Sequence, residues 1–295
     1  MKLFLAGAND KNWSEVLYLS NHSNFLTTYY EHQKGFKKEW VYWYEKTRKK
    51  GGSWIMDSGL FTMMFGAGSH KTYTEKDLLE YTYKYLGDLK KIGYQDYIVE
   101  MDVHKVLGLQ ALKRFRAIFE KEYPIEKTIY VWHVEEKEEG FRKLCEKYPY
   151  IAISIPELRI VLKGRKTLKN AVKQLISIAN SINPNIKIHL LGCTQQSLME
   201  QKGYYSCDST SWISSGKYGN GYYFSLKKLK QIRTNSLGWE TYANEMKDHI
   251  FKYRENVSMT SYYLHNCLSA IAYSRLNEYI NNRYYNYEPV KKMNK

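Results

Sequence analysis

Residues 97–133 read YIVEMDVHKVLGLQALKRFRAIFEKEYPIEKTIYVWH. A short apolar run, Tyr97–Met101, is followed by an amphipathic stretch, Leu107–Glu122, and then by a second apolar run, Thr128–Trp132. Two such runs separated by a helical pattern make a strand–helix–strand unit, whose crossover leaves the strands parallel. The runs are continuously apolar rather than alternating, as expected of strands covered on both faces.

The same alternation extends in both directions. Further candidate strands are Leu3–Ala6, Trp54–Met56, Ile151–Ser154, Ile186–Leu190 and Tyr204–Cys207, with Tyr222–Leu226 as a weaker eighth. Helical patterns cover Glu75–Lys91, Glu138–Lys147 and Lys166–Ser181; in the first, Leu78, Tyr81, Tyr85 and Leu89 fall on one face. Eight units of this kind fit an α/β fold of the (β/α)8, TIM-like barrel type better than an open sheet. After residue 236 the pattern is purely helical, in Trp239–Glu255 and Ser261–Asn281. The expected organisation is a barrel over residues 1–236 and a helical extension, residues 237–295, packed on it.

Composition narrows the function. The chain has 295 residues, 43% of them hydrophobic and 25% charged, which excludes a disordered protein. It contains no run of 18 apolar residues, so no membrane span is expected. The opening MKLFLAGANDKNW does not read as a secretory signal. Cys145, Cys193, Cys207 and Cys267 are scattered without CxxC spacing. Reduced thiols in a cytoplasmic protein are expected, not a disulfide framework or a zinc knuckle. Lys and Arg number 45 against 30 Asp and Glu, a net charge of +15 that attracts polyanions. The 29 tyrosines suit stacking on exposed bases, although an AT-rich genome also enriches Lys, Asn, Tyr and Ile.

In a parallel barrel, chemistry sits at the C-terminal ends of the strands. There the sequence places Asp57 (in MDSGLFT), Glu100 and Asp102 (VEMDVHKVLG), His133 (YVWHVEE), Ser154 and Glu157 (IAISIPE), His189 (before LLGCTQ) and Asp208 (CDSTSWISSGKYG). Any one aspartate could cap a helix, and DSG could be a plain turn. Three on one rim repel and are costly without a task. Paired carboxylates facing one pocket are the equipment for glycosidic chemistry, one acting at the anomeric carbon and the other moving the leaving group's proton. In a basic protein this points to a nucleoside within a nucleic acid.

Four segments, in order, resemble the tRNA-guanine transglycosylase superfamily, and within it the DNA-acting, DpdA-like branch that inserts 7-deazaguanines into DNA. Asp57-Ser58-Gly59 with Phe61 is similar to the family's DSGG-aromatic motif, whose Asp is the general acid/base. Asp102 is similar in position to the Asp that reads the purine edge, and Leu190–Thr194 (LLGCT) to the strand-end turn MGVGTP. Asp208 with Ser215-Gly216-Lys217-Tyr218-Gly219 resembles DCVLPTRSGRNG, whose first Asp is the covalent nucleophile. The likeness spans roughly residues 3–225. It departs at the zinc site: only Cys267, His249 and His265 follow Asp208, so no zinc, other metal or cofactor is expected. The glycine-rich base loop appears as Ile151–Glu157, and the purine-reading Gln as His133.

The resemblance implies an enzyme that cleaves the base–sugar bond of a flipped-out nucleotide in DNA. Asp208 would attack C1′ and Asp57 would handle the proton on the base. Asp102, His133, Ser58, Gly59, Phe61, Ser154 and Glu157 would bind the base, and Lys217, Tyr218, Trp212, Arg159 and Arg165 would contact DNA. The family default is exchange of guanine for a free 7-deazaguanine base. The alternative is excision of a modified base to leave an abasic site, suited to anti-phage defence. Further alternatives are a tRNA-acting transglycosylase, a non-catalytic nucleic-acid-binding barrel, and a polysaccharide hydrolase, which the charge fits poorly. Bland readings accompany several residues: His104 bonded to backbone, His189 a satisfied core or pocket residue, Arg159 and Arg165 a solvated basic face, Trp54 and Trp212 core.

Overall fold

The computed structural model describes residues 1–9, 11–65, 72–162, 164–193, 195–213, 218–251 and 262–285, except for the side chains of 65, 245–251 and 262–263. Eight parallel strands close into a barrel: β1 (Lys2–Ala6), β2 (Asn24–Thr28), β3 (Ser53–Asp57), β4 (Tyr97–Val99), β5 (Thr128–Trp132), β6 (Tyr150–Ser154), β7 (Lys187–Leu191) and β8 (Ser206–Ser209). Closure is made by β1 and β8, with Phe4 opposite Asp208 and Leu5 opposite Ser209. The main outer helices are α1 (Lys11–Leu19), α2 (Lys38–Lys49), α3 (Leu60–Phe65), α4 (Glu75–Lys91), α5 (His104–Glu122), α6 (Lys137–Lys147), α7 (Ile155–Val161), α8 (Arg165–Ile182) and the short α9 (Gln196–Met199). Gly108, at φ 79°, breaks the first turn of α5 from the rest.

The expected barrel is present, but its eighth strand differs from the expectation. The sequence reading passes over Asn24–Thr28 and counts Tyr222–Leu226 instead. NFLTT has only two large apolar residues, so it shows no apolar run. Its inward positions are Asn24, Leu26 and Thr28, and its register with β3 ends on Thr28 opposite Asp57. Residues 220–225 form β9, paired antiparallel with β10 (Lys228–Arg233) in a separate two-stranded sheet. The aromatic run there covers a helix: Tyr222 packs on Tyr273 and Phe224 on Tyr279.

Two helices end the described chain, α10 (Leu237–Phe251) and α11 (Tyr262–Tyr284). The latter lies against the start of the barrel. The Met1 amino group donates to Asn281 Oδ1 at 2.8 Å, Ser20 Oγ to the Cys267 carbonyl at 3.2 Å, and His22 Nδ1 is 2.9 Å from Ser274 Oγ. No helix among the described residues is long and apolar enough to cross a membrane.

The barrel has two apolar layers. Outward strand residues such as Leu3, Phe25, Trp54 and Met56 pack under the helices, whereas Phe4, Leu26, Ile55, Val99, Val131 and Tyr150 fill the lumen. Side chains alternate with a period of two. Two positions beyond a lumen residue, the next inward side chain is therefore polar: Thr28 after Leu26, Asp57 after Ile55, His133 after Val131, Ser154 after Ala152. At the opposite end Lys2 Nζ donates to Ser53 Oγ at 2.7 Å, and Lys187 Nζ lies 5.2–5.9 Å from the ring centres of Tyr97, Tyr150 and Tyr205. One end is thus plugged, and the polar end carries the chemistry-bearing side chains.

Candidate active site

Asp57 is the last residue of β3. Its Oδ1 accepts the Gly59 backbone N–H at 2.6 Å, and the Tyr81 hydroxyl donates to the Ser58 carbonyl at 2.7 Å. Gly59 has φ 76°, and a Cβ there would fall 2.3 Å from Thr28 Oγ1 and 2.6 Å from Tyr30 Cβ, so only glycine fits this turn. The Asp57 pKa is raised to about 7, chiefly by burial; the Gly59 hydrogen bond opposes the rise, and the charges of Asp102 and Asp208 add to it. The charges of the other two aspartates singled out in the sequence thus both reach Asp57. Phe61, on α3 just beyond, is 73% exposed.

Asp208, on β8, points into the lumen and is held from two sides. Its Oδ1 is 3.0 Å from His189 Nε2 and accepts the Gly192 backbone N–H at 2.9 Å. Among the described residues no hydrogen bond falls on Oδ2. His189 Nδ1 is in turn 2.7 Å from Ser206 Oγ, which is 2.6 Å from the Tyr150 hydroxyl. One proton arrangement satisfies the whole chain: Tyr150 O–H donates to Ser206, Ser206 O–H to His189 Nδ1, and His189 Nε2–H to Asp208. All four side chains lie on neighbouring strands β6, β7 and β8. His189 is the buried, satisfied residue expected on this strand, and one of its partners is Asp208, a link the sequence reading did not make. The available signal was its register: His189 pairs with Ser206 across β7 and β8, two positions before Asp208.

A second cluster occupies the ends of β4, β5 and β6. Asp102 follows β4, and its carbonyl is 3.1 Å from His104 Nδ1, the backbone contact expected for that histidine. The other face of His104 meets the predicted base-binding pair: its ring stacks on His133 at 3.4 Å, and its Nε2 is 3.5 Å from Glu157 Oε1. Ser154 Oγ accepts the Glu157 backbone N–H at 3.3 Å and so caps α7, which explains why a serine ends β6. Glu100 turns away from the mouth. It binds Arg116 at 3.0 Å and the Val131 N–H at 2.8 Å, tying β4, β5 and α5 together.

The predicted DNA contacts divide. Arg159 and Arg165 are exposed and line one cleft with Gln195, Gln196, Tyr222 and Tyr273. The cleft adjoins the site through the loop after β7: Gln195 lines the cleft, and Gly192, three residues earlier, donates its N–H to Asp208. Tyr218 is 79% exposed. Lys217 lies outside the described residues, as do Ser215, Gly216 and Thr194 of the quoted motifs. Trp212 is corrected: it is fully buried, donates its indole N–H to the Ala6 carbonyl at 2.8 Å and meets Trp13 edge to face. Its ring cannot reach a base. Trp54 is likewise core, stacked on Phe25. Trp212→Ala is expected to cost about 3–5 kcal/mol of stability in chemical denaturation, the range for emptying a large aromatic site.

The arrangement offers a carboxyl that holds a proton near neutrality beside a second carboxylate fixed by a histidine and a backbone N–H. No family model matches this chain, and no curated protein matches it.

Proposed function

We propose that the protein is an enzyme that breaks the N-glycosidic bond of a nucleotide flipped out of DNA. The observation that carries this reading is the pairing at the barrel mouth of Asp208, with one oxygen tethered by His189 and Gly192, and Asp57, whose pKa is raised to about 7. Asp208 Oδ2 attacks C1′ of the deoxyribose as the bond to the base breaks, and Asp57 gives its proton to the departing base. This forms an ester between Asp208 and C1′. A second nucleophile then attacks C1′, Asp208 leaves as carboxylate, and Asp57 takes the nucleophile's proton.

The second nucleophile sets the outcome. A free 7-deazaguanine gives base exchange, the default of the resembling family; water gives excision and an abasic site. DNA is favoured as substrate by the +15 charge and by the basic cleft of Arg159 and Arg165 beside the site. Mass spectrometry of nucleosides from ordinary DNA, DNA with a 7-deazaguanine precursor, and phage DNAs with hypermodified bases tests the reading. Precursor-dependent incorporation establishes exchange, and precursor-independent base release establishes excision. Activity confined to tRNA, or none on any nucleic acid, overturns the DNA assignment.

His189 serves as a positioning residue in this scheme. His189→Ala is expected to lower kcat about 10²-fold with little change in KM, because a nucleophile displaced by an ångström loses about that factor. Tyr150→Phe, which removes only the far end of the chain, should cost less. Steady-state kinetics on a defined oligonucleotide checks both.

A further inference from the structure

We propose that His104, His133 and Glu157 bind a divalent transition-metal ion of the zinc class, at a cluster distinct from the Asp57–Asp208 pair that takes in two of the base-binding candidates, His133 and Glu157. The three side chains come from the ends of β4, β5 and β6. Their candidate ligand atoms all lie within 4.8 Å of one another. His104 Nε2 is 3.5 Å from Glu157 Oε1, and His133 Nδ1 is 3.5 Å from Glu157 Oε2. Those spacings are too long for good hydrogen bonds. One donor from each residue need only draw in from within 4.8 Å to the roughly 3.3–3.6 Å that bonds of about 2.0–2.2 Å set between adjacent ligands of a tetrahedral ion.

The second observation is what these atoms lack. His133 is 1% exposed, yet neither ring nitrogen has a hydrogen-bond partner, and His104 Nε2 is buried and unpartnered too. Unpaired ring nitrogens in one buried spot are costly, and a bound ion would take up one lone pair from each imidazole. The surroundings match the outer shell of a metal site. The Asp102 carbonyl fixes the His104 Nδ1–H tautomer at 3.1 Å, turning the Nε2 lone pair toward Glu157. Lys105 Nζ, 2.9 Å from Glu157 Oε1, orients the carboxylate. The imidazoles lie stacked at 23°, so binding rotates one ring to bring the two nitrogens onto the ion. Nitrogen and oxygen donors suit Zn(II), Co(II) or Fe(II), and three protein ligands leave a coordination position for water or substrate.

The full-length protein, stripped with chelator and titrated with Co(II) and Zn(II), tests this. Expected are one equivalent of Zn(II), a Co(II) ligand-field band, and an upward Tm shift on Zn(II) addition. His133→Asn and Glu157→Gln should abolish all three while keeping the wild-type far-ultraviolet circular dichroism. Should either variant fail to fold, X-ray absorption of the wild-type Zn(II) complex decides: imidazole and oxygen scattering without sulfur supports the site. No uptake by the wild type, sulfur in the first shell, or equal uptake by folded variants overturns it. Asp208-dependent base release is scored separately, so the failure of one proposal is distinguishable from that of the other.

Discussion

Asp208→Asn is expected to lower base release by at least about 10³-fold, the scale on which enzymes lose rate when a covalent nucleophile is removed. The substitution is nearly isosteric. The amide oxygen can still accept from His189 Nε2 and from the Gly192 N–H, the two contacts made by Asp208 Oδ1. Stability should therefore change little, and the loss should fall on kcat. A second consequence needs no substrate. The Asp208 charge is one of the influences that raise the Asp57 pKa, so removing it should lower that pKa. Titration of the Asp57 carboxyl by carbon-13 NMR in wild type and variant checks this. A rate loss without any shift in Asp57 would mean that the two carboxyls do not share a site.

The second large effect concerns the proton. Asp57→Asn should cost about 10²–10⁴-fold, the usual worth of a positioned general acid. In the wild type the pKa raised to about 7 gives the pH profile a definite sign. The first step needs Asp57 protonated, so kcat/KM should fall as pH rises through about 7. Asp102→Asn removes one of the charges raising that pKa, so the descending limb should move to lower pH. Stability follows the same linkage. Between the unfolded carboxyl pKa near 4 and the folded value of about 7, the native state holds a proton that the unfolded state has released, so this group's contribution falls as pH rises across that window. A limb that stays fixed in Asp102→Asn would remove Asp57 from the role of acid.

Much of the frame is legible in the chain because its strands are covered on both faces. Thr128–Trp132 and Glu75–Lys91 occupy the ranges that apolar runs and three- and four-residue spacing predict. Asn24–Thr28 is not legible, because a barrel strand with polar inward ends has no apolar run to display. Tyr222–Leu226 looks more like a strand of the barrel because its tyrosines and phenylalanine cover α11. At the mouth, each polar residue following an apolar run could be read one by one, and Asp57, Asp102, His133 and Asp208 do lie there. What spacing along the chain does not reveal is partnership. The link from His189 through Ser206 to Tyr150, and the meeting of His104 and His133 with Glu157, depend on register between strands far apart in sequence. Trp212 shows the converse: neighbourhood to Asp208 in sequence suggests base stacking, but the next turn of chain carries the indole into the core.

The claim at the centre is that Asp208 forms a bond to C1′. Quenching the reaction with denaturant, digesting the protein and locating attached sugar by mass spectrometry tests it most directly. The account predicts an adduct on the peptide containing Asp208, formed by wild type and absent in Asp208→Asn. An adduct on another residue, or base release that continues in Asp208→Asn, would contradict it.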